Sequence, residues 1–294
     1  MKSVSSSRFK YLKPEDIRKL SSYEFAPKYV VEGYLAGRHK SRQQGISSEF
    51  RDYRPYAAGD DPASLDWKIY ARTERYFIRT FEQETNTSCY IMLDSSASMG
   101  FGSPLTKLEY SSFFAAALSY LVSKSNNLVS LQLFDDKIRS FFPLGSTSAH
   151  LHNLMHVLET NTPGSRTSLS NALKKSVPLM KRKGSLVVIS DFFDDPGAIF
   201  AALSPYLHRG FKVYLFHILD PGEIHLTPKG LNLFVDMEKD TKLIVHADSI
   251  KKQYNKAITE HINILRQMSI MRQIEYVIAR TDTHYYKLFD RLVK

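Results

Sequence analysis

Residues Tyr90 to Gly102 read YIMLDSSASMGFG. An apolar run stops at an aspartate, and oxygen-bearing side chains then recur at every second position: Asp94, Ser96 and Ser98. Two accounts fit this pattern. Either the chain is turning into a helix that the serines cap, or three oxygens have been set around a cation.

The surroundings of that stretch are alternating strands and helices. Ser88–Leu93 is apolar on both faces, as a buried parallel strand requires. Leu105–Ser123 carries apolar residues at helical spacing. Leu128–Phe134 and Ile138–Leu144, joined by a turn at Asp135-Asp136, read as a hairpin. Helices are expected over His150–Leu158 and Leu169–Met180, and a clear buried strand over Ser185–Ile189, SLVVI, which runs into Ser190-Asp191. A helix at Ile199–His208, a strand at Phe211–Leu219, a short strand at Leu243–His246, a helix at Ser249–Met268 and a strand at Glu275–Ala279 complete the pattern. Such alternation predicts an α/β fold with a mostly parallel sheet and helices on both faces.

Residues 1–87 differ. They are rich in Arg, Lys, Tyr and turn residues, with a helix expected near Pro14–Tyr34 and irregular structure after it. The expected organisation is therefore an N-terminal segment, 1–87, packed on a main domain, 88–294. Trp67 and Tyr70 fit a short apolar segment that docks the former on the sheet.

In an open parallel sheet, ligands bind beyond the carboxyl ends of the strands. Two strands here run into an aspartate, Asp94 and Asp191. Between them the loop PGSRTSL offers Thr167 just before a helix. Three strand-end loops thus bring Asp94, Ser96, Ser98, Thr167 and Asp191 towards one rim. Hydroxyls and carboxylates suit a hard cation, Mg²⁺ or Mn²⁺. The absence of thiolate and imidazole from the set disfavours zinc. A cap at Ser96 or Ser98 and a turn at Asp191 are the plain alternatives. The conjunction of five residues in this order favours the metal.

That conjunction resembles the metal-ion-dependent adhesion site of von Willebrand factor type A domains. The upstream segment EFRDYRPYAAGDDPASLDWKIYARTERYFIRTFEQETN, running into YIMLDSSASM, is similar to the bacterial family known as domain of unknown function 58. Together the two likenesses span most of the chain after about Val30. The resemblance implies a doubly wound fold and an adaptor or assembly role beside MoxR-type AAA+ ATPases, rather than a defined enzyme. The chain departs from the family pattern in Ala58-Gly59-Asp60, where Pro-Gly-Asp is usual. It departs again in Ala63-Ser64, where an Arg is common, and in Gly164-Ser165-Arg166-Thr167, where a Gly-Gly-Thr form is usual.

Other chemistries are less well provided for. A phosphoryl-transferring aspartate needs a second acid two residues on, and Ser96 stands there. A metal-dependent phosphohydrolase using the same acidic site is the enzyme alternative. His152 and His156 have the HxxxH spacing, but Asn153 replaces the general-base glutamate, so ordinary helix histidines are expected. There is no GxSxG elbow and no Walker A loop. Gly59-Asp60-Asp61-Pro62 reads as a turn. Asp194-Asp195 either extends the acidic rim or ends the loop before Pro196.

The 294 residues are 43% hydrophobic and 24% charged, with a net charge of +10. The basic residues are scattered, the densest cluster being Arg38–Arg42, so nucleic acid is not the expected partner. The single cysteine, Cys89, sits in an apolar run and is expected to be buried and inert. No apolar stretch approaches the roughly 20 residues of a membrane span. With no signal-peptide pattern at the N-terminus, a cytosolic protein is expected.

Overall fold

A computed structural model of the chain describes residues 9–20, 48–57, 65–83, 87–166, 168–224, 230–235 and 242–289. The chain divides into two compact units, one of residues 1–34 with 87–294 and one of residues 35–86.

The large unit is built on a six-stranded sheet. Its strands are β3 (Ser88–Asp94), β4 (Leu128–Phe134), β5 (Ile138–Gly145), β6 (Ser185–Ser190), β7 (Lys212–Leu219) and β10 (Glu275–Arg280), in spatial order β10-β7-β6-β3-β4-β5. All pairs are parallel except β4 with β5, which form the expected antiparallel hairpin. This is the doubly wound, mostly parallel α/β fold the alternation predicts.

Alternation along the central strands explains why both faces are covered. Cys89, Ile91 and Leu93 of β3 and Val187 and Ile189 of β6 enter one apolar cluster. Tyr90 and Met92, with Leu186 and Val188, enter the cluster on the other face. On the first face lie α3 (Lys107–Lys124) and α4 (Ser148–Thr160). On the second lie α5 (Leu169–Ser176), α6 (Pro196–His208) and α8 (Ala247–Met271). Cys89 is fully buried, and that burial pushes its thiol pKa up to about 12, which leaves it inert.

Two strands are brought unusually close where β6 begins. A Cβ on Gly184 would collide with the main-chain carbonyl of Ser88, its neighbour on β3. Backbone cannot give way as a flexible side chain can, so glycine is required there.

The N-terminal strip contributes to the same core. Tyr11, Leu12 and Leu20 join the first cluster, and Asp16 of α1 (Pro14–Leu20) accepts a 2.7 Å bond from the Tyr286 hydroxyl. Beyond Leu20 the helix expected to reach Tyr34 lies outside the described residues, as do Arg38–Arg42 and Gly59–Pro62. The strand at Lys242–His246 (β9) pairs antiparallel with Leu231–Val235 (β8), a strand the sequence pattern did not reveal, in a separate two-stranded ribbon. The helix expected over Leu169–Met180 ends at Ser176.

In the small unit, β1 (Ser48–Pro55) pairs antiparallel with β2 (Phe77–Gln83), and α2 (Trp67–Thr73) is capped by the Asp66 carboxylate. The expected packing role of Trp67 needs correction. Trp67 is 60% exposed and meets the edge of the Tyr70 ring. A seven-residue helix that buries none of its side chains offers the indole no core to enter. Tyr70 itself stacks on Tyr76, with ring centroids 4.6 Å apart.

The close approach at Gly184 yields a direct expectation. Gly184→Ala will lower the stability to urea unfolding by about 1–3 kcal/mol, since β3 and β6 must separate to admit the methyl group. An unchanged urea midpoint would mean that the strands part freely at this point.

Candidate metal centre

In this strand order the chain winds outward from β3 in one direction and from β6 in the other. The crevice between their carboxyl ends is the topological switch point of the sheet, where open α/β folds take ligands. Asp94 is the last residue of β3, and Asp191 follows the last residue of β6. Both are fully buried.

Asp94 is held on both oxygens. Its Oδ1 accepts from the Ser96 main-chain N–H at 2.9 Å, and its Oδ2 accepts from the Ser190 hydroxyl at 2.6 Å. Ser190 Oγ in turn accepts from the Phe192 N–H at 3.0 Å. Phe192 has φ of 52°, left-handed backbone that a bulky residue adopts only under compulsion. Its fully buried ring provides that compulsion, and the turn it forces lies next to Asp191.

The two serines are not caps. Ser96 occupies the N-cap position of a short 3₁₀ turn, Ala97–Gly100, yet makes no side-chain cap bond. Its hydroxyl lies 3.1 Å from that of Ser98. The two hydroxyls thus partner each other rather than the turn.

The loop bearing Thr167 is laid against this turn by its backbone. Gly164 N–H donates to the Ser95 carbonyl at 2.6 Å, and Ala97 N–H donates to the Ser165 carbonyl at 2.9 Å. A Cβ on Gly164 would displace the Asp135 carboxylate, so this loop packs tightly against that side chain. Ser168 N–H donates to the Asp135 carbonyl at 3.2 Å. Thr167 itself lies outside the described residues.

A residue that the sequence reading missed completes the site. Lys107, the first residue of α3, is fully buried, and its ammonium sits 2.8 Å from Asp191 Oδ2 and 2.6 Å from Glu223 Oε1. Glu223 belongs to a one-turn helix, α7 (Pro221–Ile224), just beyond β7. Phe193 covers the ammonium with its ring centroid 5.4 Å away. Thr106 and Glu109 form a capping box that fixes the start of α3.

These contacts set the electrostatics. Burial, and then the charge of Asp191, push the Asp94 carboxyl up to about 7, against the bonds from Ser190 and Ser96. Burial would raise Asp191 as well, but the adjacent Lys107 ammonium outweighs it and holds that carboxyl below its usual value, helped by the nearby Ser98 hydroxyl. Lys107 stays charged because the two carboxylates overcome its own desolvation. Behind Asp191, buried His217 is driven down to about 3 and is neutral; its Nδ1 lies 2.6 Å from the Tyr276 hydroxyl.

Do these residues fit a hard cation? Among the described residues no group of three His, Cys, Asp or Glu side chains is placed to hold a metal. A site here depends on hydroxyls added to two carboxylates, the donor set of a hard ion. Asp191 Oδ1 is buried and receives no hydrogen bond. An ionised oxygen without a partner is costly to bury, and a cation is the natural occupant beside it. The fit is good for Asp94, Ser96, Ser98 and Asp191.

Other candidates resolve into structural roles. Asp195 caps α6 through Ala198 N–H at 2.7 Å, and Asp194 accepts from Ser170 N–H at 3.2 Å, so this pair ends the loop. His152 packs edge-on against Phe9, and His156 is exposed.

The raised pKa of Asp94 has a sign that can be checked in chelator-treated protein. The folded state holds the proton up to about pH 7, while the unfolded chain releases it near 3.8. Stability from this group is present below pH 4 and is lost as pH rises towards 7. Asp94→Asn, in EDTA, will therefore raise the melting temperature relative to wild type at pH 8, and by clearly less at pH 5, where only part of the loss has set in. A stabilisation of equal size at both pH values would contradict the assignment.

Two solved structures share the architecture. BatB from Bacteroides thetaiotaomicron is 16% identical, with a TM-score of 0.51 over 70% of this chain and 97% of that one. An aerotolerance-related membrane protein from Bacteroides fragilis NCTC 9343 is 17% identical, with a TM-score of 0.50 over 70% and 98%. The SpRpn10 VWA domain is 12% identical, with a TM-score of 0.42 over 70% of this chain and 97% of that one. Uncharacterized proteins of Mycobacterium tuberculosis (strain ATCC 25618 / H37Rv) and Mycobacterium bovis (strain ATCC BAA-935 / AF2122/97) are each 27% identical over 223 residues, 74% of this chain and 70% of theirs. Residues 52–264 match the family described as "Protein of unknown function DUF58", and the chain belongs to that family.

Proposed function

We propose that this chain is a protein-interaction module whose binding face surrounds the switch point, and that its partner is engaged through a divalent cation. Ser96, Ser98 and Thr167, with Asp94 and Asp191, would hold Mg²⁺ or Mn²⁺. When bound, the ion supplies concentrated positive charge and a coordination position open to a partner's carboxylate. The observation that carries this reading is the buried, unpartnered Asp191 Oδ1 in a site that also holds the paired hydroxyls of Ser96 and Ser98.

The protein's own residues divide the work. Ser190 and the Ser96 N–H fix the Asp94 carboxylate from two sides. Lys107 occupies Asp191 Oδ2, while Oδ1 stays buried without a hydrogen bond. Phe101 and Phe193, 40% and 45% exposed, each contact Lys107. The Phe101 carbonyl accepts the Lys107 N–H at 2.8 Å, and the Phe193 ring lies over the ammonium. Exposed aromatic rings around a polar centre are the usual anchors of a protein interface. The partner proposed is a MoxR-type AAA+ ATPase, or a client protein delivered to it.

The alternative, a metal-dependent phosphohydrolase, needs a free lysine for phosphate and an acid or base beside the reacting group. Lys107 has no exposed surface and is committed to two carboxylates. No helix among the described residues is long and apolar enough to cross a membrane.

Two outcomes test this reading. Complex formation with the MoxR-type ATPase, measured by interferometry in Mn²⁺, will be lost in EDTA and with Asp94→Ala; equal affinity in all three conditions would eliminate the cation bridge. Phe193→Ser, in saturating Mn²⁺, will weaken the same complex by at least about 30-fold, the size of an interface hot spot. A change of less than twofold would place the contact face elsewhere.

A further inference from the structure

Lys107 is the strangest residue of the site. A cation at the first position of an 18-residue helix opposes the helix dipole. Complete burial of an ammonium is expensive unless it is paired. Both penalties are accepted to place one positive charge between Asp191 and Glu223. The ring of Phe193 closes over it and keeps water from sharing the role.

The charge tally explains what that placement achieves. Asp94, Asp191 and Glu223 lie beyond the carboxyl ends of β3, β6 and β7, and Asp191 and Glu223 share the Lys107 ammonium, while Asp220, which also follows β7, is bonded to Thr281. On Asp191 the two oxygens differ. Oδ2 holds Lys107, and Oδ1 holds nothing. Any cation arriving at Oδ1 shares one carboxylate with an ammonium already in place. Two positive charges on one carboxylate repel in a dry environment, where they are poorly screened. Glu223 supplies the relief. Its Oε1 already binds Lys107, and its Oε2 is anchored by the Asp220 N–H at 3.1 Å. The main chain there is fixed too, since the Glu223 carbonyl accepts from the Tyr254 hydroxyl at 2.9 Å.

We infer that Lys107 is the site's resident counter-ion, competing with a divalent cation for Asp191, and that Glu223 sets the outcome by holding Lys107 when the cation takes its share. The inference rests on the proposed cation reading and adds to it a built-in limit on affinity. A site that carries its own positive charge binds a divalent ion weakly by itself. A partner carboxylate, by adding negative charge, then makes the ion's binding and the partner's binding mutually reinforcing.

Calorimetric titration of Mn²⁺ into chelator-stripped full-length protein provides the test, together with melting temperatures in EDTA and in Mn²⁺. Lys107→Met keeps the length of the side chain and removes the charge. It will tighten Mn²⁺ binding by at least about tenfold, in the range measured for close charge pairs. Its melting temperature will fall in EDTA and recover in Mn²⁺. A lysine that merely fills space predicts a fall in both conditions and no gain in affinity. Glu223→Gln leaves Lys107 wholly to Asp191 with little change of shape. It will weaken Mn²⁺ binding by at least about threefold, and it keeps the test decisive if Lys107→Met does not fold. Wild-type binding that neither variant moves, or that both weaken equally, overturns the counter-ion role and leaves the cation reading standing. No Mn²⁺ binding by wild type or by either variant overturns both. Binding by Lys107→Met alone supports the counter-ion in its strongest form.

Discussion

Two carboxylates buried at the seam between β3 and β6 are the constraint around which this molecule is arranged. Parallel strands that wind away from each other leave their carboxyl ends open at that seam. Placing Asp94 and Asp191 there, both fully buried, creates negative charge that the core cannot solvate. Each feature of the rim answers part of that problem. Ser190 and the Ser96 N–H donate to one carboxylate. Lys107 neutralises the other. The left-handed turn at Phe192 follows the second directly in the chain. What is left unanswered is Asp191 Oδ1, and that remainder is the physical basis for a functional reading.

Much of this was legible in the residues. Strands such as SLVVI and YIML announce themselves because burial on both faces leaves no polar position. Their C-terminal aspartates could be read as neighbours because strand order in parallel sheets follows a few rules. The same reasoning gave Ser96 and Ser98 their place. It stopped short at Thr167, which lies outside the described residues, although the backbone on both sides of it is fixed at Gly164, Ser165 and Ser168.

The residues that escaped the reading did so for a common reason: their partners are remote in sequence. Lys107 meets acids 84 and 116 residues away. No periodicity links such positions, and Glu223 sits in a four-residue helix too short to leave a pattern. One signal was present. TKLE at the start of α3 is a capping box with a lysine inside it, where the helix dipole disfavours positive charge. A basic residue set against the local field asks for a nearby acid, and the only question the sequence left open was which. Trp67 failed in the opposite direction. A lone tryptophan in an irregular segment reads as packing, but the helix that carries it is too short to own a core.

The charge at the rim also bears on why an interaction module would hold its ion loosely. A fully anionic cage binds a divalent cation tightly and neutralises it, which leaves little attraction for a further carboxylate. A cage of hydroxyls, with one acid already shared by an internal ammonium, would do the reverse. It would leave a bound ion under-neutralised, deferring a large part of the binding energy until a partner supplied the missing negative charge. Coupling of that kind is reciprocal: whatever the partner gains from the ion, the ion gains from the partner. Phe101, whose carbonyl accepts the Lys107 N–H, and Phe193, whose ring lies over the ammonium, would place the apolar part of such an interface beside its charged centre.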